Sequence, residues 1–184
     1  METRDQHNAI EQTLTLMDDN LTLPNYQYRL EQFYGFYKPV EDRIYADTGP
    51  MSAHLALAKR CKTPLLEADL RTLRQYPVEQ LPQCFHLPRL VSVAECFGCM
   101  YVLEGATFGG AIISRHVQMK LGVTPTTSGR FFTGYAEQTG TMWHEFRAAM
   151  VAFSLVRDDQ DTVIKTARGT FEALQIWCER TSCQ

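Results

Sequence analysis

The 184-residue sequence predicts an all-α fold in a single domain, and three observations carry that reading. Helix start and stop signals bracket nearly every long segment. Val163, Ala167, Phe171, Leu174 and Cys178 recur at three- and four-residue spacing, the mark of a core-facing helical stripe. A glycine-rich run, Leu103-Glu104-Gly105-Ala106-Thr107-Phe108-Gly109-Gly110, sits inside what otherwise reads as one long helix. Each helix-interior glycine costs roughly 0.5–1 kcal/mol relative to alanine. Three in six residues imply close approach of the backbone to another helix or to a flat ligand.

The elements follow in order. Thr3-Arg4-Asp5-Gln6 matches a capping box, which predicts a first helix from about Thr3 to about Asp18. Pro24 and Asn25 separate it from an aromatic second helix over 25–46, which holds Phe33, Tyr34, Phe36 and Tyr37. Pro39 is expected to bend or interrupt that helix. Gly49-Pro50 is a turn, and Pro64 to Arg74 is the clearest part of a shorter helix. After Pro77, Pro82 and Pro88 comes the longest helix, 89–121, ended by Gly122 and followed by Pro125. Residues 124–140 read as a loop despite Phe131, Phe132 and Tyr135, and helices over 141–156 and 158–181 close the chain. Repeats, low-complexity tracts and interdomain linkers are absent from the sequence.

Composition narrows the function. A net charge of −3 argues against nucleic acid as the main partner, since that affinity rests on clustered Lys and Arg. The sequence shows no apolar run approaching the ~20 residues of a membrane span and no apolar signal segment after Met1, so a cytoplasmic protein without a membrane partner is expected. The six cysteines should then remain reduced. Cys96 and Cys99 form a C-x-x-C pair, but it falls mid-helix and lacks a second pair, which favours small buried cysteines over a redox or zinc site.

The five histidines include no E-x-x-H and no H-E-x-x-H, which disfavours di-iron carboxylate bundles and zinc peptidases. A G-x-S-x-G elbow and a phosphate-cradling loop are likewise missing. His7 lies one turn into the first helix with Glu11 at i+4 on the same face. A ligating imidazole commonly gives its other N–H to such a carboxylate, although a solvated surface histidine would look the same. Gly105 and Gly109 also form a small-xxx-small pair suited to helix–helix contact. Arg147 and Phe131-Phe132 are uninformative taken singly.

Taken together, these pieces resemble the heme oxygenase family, in the expected order and through almost the whole chain. Glu2 to Glu11 is similar to the family's opening T-x-x-x-H-x-x-x-E segment, and Phe33 to Glu41 to its aromatic second helix. Lys62-Thr63-Pro64-Leu65-Leu66-Glu67-Ala68-Asp69-Leu70 is similar to its K-x-x-x-L-E-x-D-L stretch, and Tyr101 to Gly110 to its distal helix. Phe131-Phe132, Phe146-Arg147 and Val163-Ile164…Phe171 follow. The form Tyr-Val-Leu-Glu-Gly-Ala-Thr-Phe-Gly-Gly resembles the bacterial branch that supplies biliverdin to bacteriophytochromes.

The resemblance implies a helical bundle with heme b between the first helix and the glycine-rich distal helix. It makes His7 the proximal iron ligand and Glu11 its hydrogen-bond partner, while Gly105, Gly109 and Gly110 lay backbone on the heme face. Phe131 would contact the heme, Arg147 would pair with a propionate, and Tyr37 would stand in the distal hydrogen-bond region. Many members carry an Asp just after the first distal glycine; here that position is Ala106. The family's proton-delivery route therefore does not carry over, and Thr107, Tyr37 and backbone-held water are the candidates. Only six residues precede His7, with Arg4 a candidate for part of the cationic charge found upstream in longer relatives.

The implied reaction consumes dioxygen and electrons and yields biliverdin, carbon monoxide and ferrous iron. A distal wall of Gly105, Ala106, Thr107, Gly109 and Gly110 supplies no strong acid, as oxidation of the heme's own ring requires. The chain has no flavin or nicotinamide fingerprint, so the electron donor (a ferredoxin, a reductase or ascorbate) is external, with a bacteriophytochrome as the implied acceptor of biliverdin. The alternative is a non-catalytic heme carrier or sensor on the same fold. A thiaminase-like enzyme on a related helical fold lacks its cysteine–acid constellation here.

Overall fold

The computed structural model describes residues 10, 12–46, 51, 55–74 and 77–181. Among them the regular elements are all helical, as the sequence predicts: α1 (Leu23–Ile44), α2 (Thr63–Leu73), α3 (Val93–Leu121), α4 (Arg130–Thr133), α5 (Thr139–Val156) and α6 (Gln160–Thr181). Ile10 and residues 12–14 are helical as well and precede α1. His7 and Glu11 lie outside the described residues, as does Arg4.

The N-terminal helical stretch stops at Leu14 rather than near Asp18. Thr15 takes a left-handed φ of 51°, which turns the chain so that Leu16 and Leu21 enter the core. Two contacts fix this turn. Arg29 Nη2 donates to the Thr13 carbonyl at 2.9 Å, a cation at a helix C-terminus. His116 Nε2 lies 3.2 Å from the Asp18 carbonyl oxygen, and Lys120 pairs with Asp19 at 2.6 Å, tying the turn to α3.

α1 runs unbroken through Pro39, contrary to the expected bend or interruption. Pro39 lacks the N–H that would bond the carbonyl four residues earlier, which belongs to Gly35. The Cys84 amide fills that vacancy, donating to the Gly35 oxygen at 2.8 Å. Gly35 is what lets residues 82–84 come so close, for a Cβ there would lie 2.5 Å from the Pro82 carbonyl oxygen and 2.7 Å from the Trp177 ring.

α3 begins at Val93, four residues later than expected. Ser92 is its N-cap, in a reciprocal capping box with Glu95, and Gly122 closes it with a left-handed φ of 69°. α3 packs chiefly on α6, and the stripe Val163, Ala167, Phe171, Leu174 and Cys178 is buried. Gly98 makes this packing possible: a Cβ there would strike the Val163 carbonyl oxygen and lie 2.8 Å from Thr166 Cβ. Cys96 and Cys99 flank it, fully buried, and burial pushes both thiols up to about 12, which makes them packing residues without redox character.

An 18-residue window of α3 has a mean hydropathy of 1.4, so by length and composition this helix could cross a membrane. Half of that window is buried inside the fold, which reads as a core helix. The segment expected to be loop holds α4 and a 3-10 turn over Ala136–Gln138, and α5 starts at Thr139.

Candidate functional site

The glycine run of α3 borders an apolar cavity with about 870 Å³ of empty space, counting its open mouth. Ile10 and Leu14 contribute from the N-terminal stretch, Phe33 and Tyr37 from α1, Phe131 and Phe132 from α4, and Phe171 and Leu174 from α6. Among the described lining residues, only Tyr37, Lys62 and Thr107 carry polar side-chain atoms. Of the sequence candidates, Tyr37, Gly105, Ala106, Thr107, Gly109, Gly110 and Phe131 all line this cavity. Arg147 does not; it is exposed on α5.

The three glycines differ in what they face. Nothing in the described structure lies within 4 Å of a Cβ built on Gly109, whose backbone is bare towards open space. A Cβ on Gly105 would make ordinary contact with the Trp143 ring at 3.8 Å. A Cβ on Gly110 would lie 2.7 Å from the Phe132 carbonyl oxygen, so this glycine lets α4 close against α3. Among the described residues, then, the tight backbone approaches to α3 are at Gly98 and Gly110 rather than at the Gly105/Gly109 pair.

The aromatic wall is held by buried acids. Asp69, fully buried on α2, accepts from the Arg130 amide at 3.0 Å and the Phe131 amide at 2.8 Å, and Arg130 Nη1 lies 3.1 Å away. It thus caps the N-terminus of α4 and aims Phe131 at Phe33 and Tyr37, with ring centroids 5.2 and 5.3 Å apart. Glu41, buried on α1, caps α2 in the same way. Its Oε1 accepts from the Lys62 amide (2.7 Å), and its Oε2 from the Thr63 amide (2.9 Å), the Thr63 hydroxyl (2.6 Å) and the Cys61 thiol (2.9 Å). Together the two carboxylates explain why Glu41 and the Lys62–Leu70 stretch stand beside the cavity.

A buried polar cluster that sequence reasoning missed lies just behind the glycine run. Glu104, one residue before Gly105, accepts from Arg60 Nη1 at 2.7 Å and from the Tyr135 hydroxyl at 2.7 Å. Arg60 also donates to the Met142 carbonyl at 3.0 Å, and its Nε has no partner among the described residues. Burial pushes the Glu104 carboxyl above its ordinary range, with Tyr135 and Arg60 opposing. Lys62 Nζ lies 3.0 Å from the centre of the Tyr135 ring, and desolvation lowers it from 10.5 to about 8. The available signal was Glu104 itself, an acid amid the apolar run of a core helix, which demands a buried cation.

Thr107 donates its hydroxyl to the Glu104 carbonyl at 2.6 Å, so its proton is committed to its own helix. Tyr37 is 3% exposed, burial raises its phenol far above the ordinary value, and its hydroxyl has no hydrogen-bond partner among the described residues. It is a neutral donor facing the cavity.

These features define a class: a helical bundle with a slot for a wide, flat, largely apolar ring, with bare backbone on one wall. A model of the heme oxygenase family matches residues 1–180, nearly the whole sequence, and the chain belongs to that family. Two solved structures are similar in fold. The NO- and CO-bound heme oxygenase from Neisseria meningitidis superposes with a TM-score of 0.79 at 22% identity, covering 97% of this chain and 87% of that one. The heme oxygenase from Leptospira interrogans gives 0.77 at 16% identity, covering 97% and 95%. No curated protein matches the sequence.

The slot fits heme on the side the structure describes. Its walls are apolar and aromatic, Gly109 leaves room for a ring face, and Tyr37, Lys62 and Thr107 are the polar residues on its described lining.

Proposed function

We propose that this protein is a heme oxygenase, one that cleaves bound heme to biliverdin, carbon monoxide and ferrous iron with dioxygen and externally supplied electrons. The observation carrying the reading is an apolar, aromatic-walled slot bordered by the open backbone of Gly109, in a chain that belongs to the heme oxygenase family. Bound heme supplies the iron that activates dioxygen and the ring that is oxidised. The protein's residues bind, orient and exclude water.

In this reading His7 is the iron's protein ligand and Glu11 orients its ring. Phe33, Phe131 and Phe132 pack the ring and keep bulk water from it. Gly109 leaves the α3 backbone open to a ring face, while Gly110 lets α4 close the wall beside it. Ala106 offers no acid, and Thr107 has committed its proton to α3; the slot thus keeps strong acids away from the reacting ring. Tyr37 stays neutral and donates a hydrogen bond without supplying charge. Arg147 is exposed on α5, where it could meet a propionate only beyond the cavity lining. The likeness to the bacteriophytochrome-associated branch supports delivery of the bilin to such a photoreceptor, with a ferredoxin, a reductase or ascorbate as donor.

Titration with hemin tests the reading. One equivalent should give a sharp Soret band, and ascorbate in air should replace it with the broad red absorption of biliverdin. His7→Ala should weaken ligation and abolish turnover. A Soret band that persists under reductant and oxygen would instead support a heme carrier.

A further inference from the structure

Lys62 is the lysine of the K-x-x-x-L-E-x-D-L stretch, and the proposed function assigns its ammonium no role. It is 4% exposed, lines the slot, and carries three N–H donors. Among the described residues its close partner is the face of Tyr135, with Nζ 3.0 Å from the ring centre, and Nζ has no hydrogen-bond acceptor there. Both nearby carboxylates are already engaged. Glu104 serves Arg60 and Tyr135, and Glu41 serves the amides and side chains of residues 61–63. Tyr37 on α1 lines the same cavity, its hydroxyl without a partner among the described residues. An ammonium this enclosed, without an acceptor among the described residues and bordering the cavity, leaves its donors free for something that enters the slot.

We propose that Lys62 is the hydrogen-bond donor to small anionic or oxygen ligands held inside the slot beside the glycine run of α3, where the Ala106 methyl offers no donor. The inference rests on the heme-slot reading. The ammonium is fixed by the backbone bonds of residues 62 and 63 to Glu41 and by the Tyr135 ring, which Glu104 orients in turn. Glu104 and Arg60 then act as positioning residues behind it. The two buried acids, Glu41 and Glu104, offset part of the cost of burying the Lys62 charge without either being spent as its hydrogen-bond acceptor. Thr107 cannot do the same, since its one proton is bonded to the Glu104 carbonyl.

Fluoride binding to the hemin-loaded ferric protein at fixed pH tests this, because bound fluoride is stabilised by a hydrogen-bond donor. Lys62→Met should weaken fluoride by at least tenfold while hemin affinity changes less than threefold, and Lys62→Arg should recover part of the loss. Should the Met variant fail to fold, Lys62→Gln, one bond shorter and without charge, should weaken fluoride at least threefold. Unchanged fluoride affinity overturns the proposal. So does a fall in hemin affinity alone, which would assign Lys62 to a heme carboxylate. Protein that binds no hemin overturns both this proposal and the heme-slot reading; protein that degrades hemin yet binds fluoride equally well without Lys62 overturns this proposal alone.

Discussion

Gly109→Ala should stabilise the hemin-free protein and impair hemin binding at once, whereas Gly110→Ala, one residue along, should destabilise it. At Gly109 a methyl meets no described atom within 4 Å, so the substitution gains only the helix preference of alanine, about 0.5–1 kcal/mol. For a chain of this length that raises the melting temperature by about 1–4 °C. At Gly110 the methyl would sit 2.7 Å from the Phe132 carbonyl oxygen, a backbone atom that cannot move without α4. Overpacking of this kind costs about 1–3 kcal/mol, or roughly 2–12 °C. In the slot, the Gly109 methyl would hold a flat ring off the α3 backbone, and a similar penalty of at least ~1.4 kcal/mol is a tenfold loss of hemin affinity. Thermal denaturation without hemin, followed by Soret titration of both variants, reads each quantity. If Gly109→Ala destabilises the hemin-free protein as Gly110→Ala does, Gly109 is packed, and the argument that its bare backbone faces a ligand fails.

The buried ion pair gives a second expectation. Glu104→Leu removes the buried partner of Arg60 and leaves it only the exposed Glu145 at 3.5 Å, and urea denaturation should show a loss of about 3–5 kcal/mol; a loss below 1 kcal/mol would mean that water or Glu145 compensates the charge. Lys62 makes stability depend on pH. Its pKa falls from 10.5 unfolded to about 8 folded, so the unfolded chain binds more protons between these values, and stability rises with pH across that window. The stability difference, wild type minus Lys62→Met, should therefore grow by about 2–3 kcal/mol from pH 7 to pH 10, and a flat difference would contradict the burial of its charge. Cys96, Cys99 and Cys178, all buried with thiols pushed up to about 12, should resist iodoacetamide in the native protein at pH 8 and react once it is unfolded; mass spectrometry of labelled peptides decides.

What the sequence made legible was local. The stripe from Val163 to Cys178, the Gly122 stop and the unusual glycine run each announce themselves within a few residues, and the structure bears out the helical fold they imply. The later start of α3 was also legible, since Ser92 and Glu95 spell its capping box. Other features depend on contacts distant in sequence. Pro39 stays in its helix because Cys84 supplies the lost donor, and nothing around Pro39 announces that. Glu104 finds Arg60 44 residues away, and Lys62 finds the face of Tyr135. The glycines illustrate the division well. Their presence marks the site, but only the packing separates Gly109, open to the slot, from Gly110, closed on Phe132.

The account rests on heme being cleaved in this slot, and carbon monoxide is the product that tests it most directly. Protein loaded with one equivalent of hemin would be reduced with ascorbate in air, with catalase present to remove free peroxide, and the gas assayed by its uptake into ferrous myoglobin. The account predicts about one carbon monoxide per hemin, released as the Soret band decays and biliverdin accumulates, with none from His7→Ala. Hemin that stays intact, or that bleaches without carbon monoxide, would contradict it.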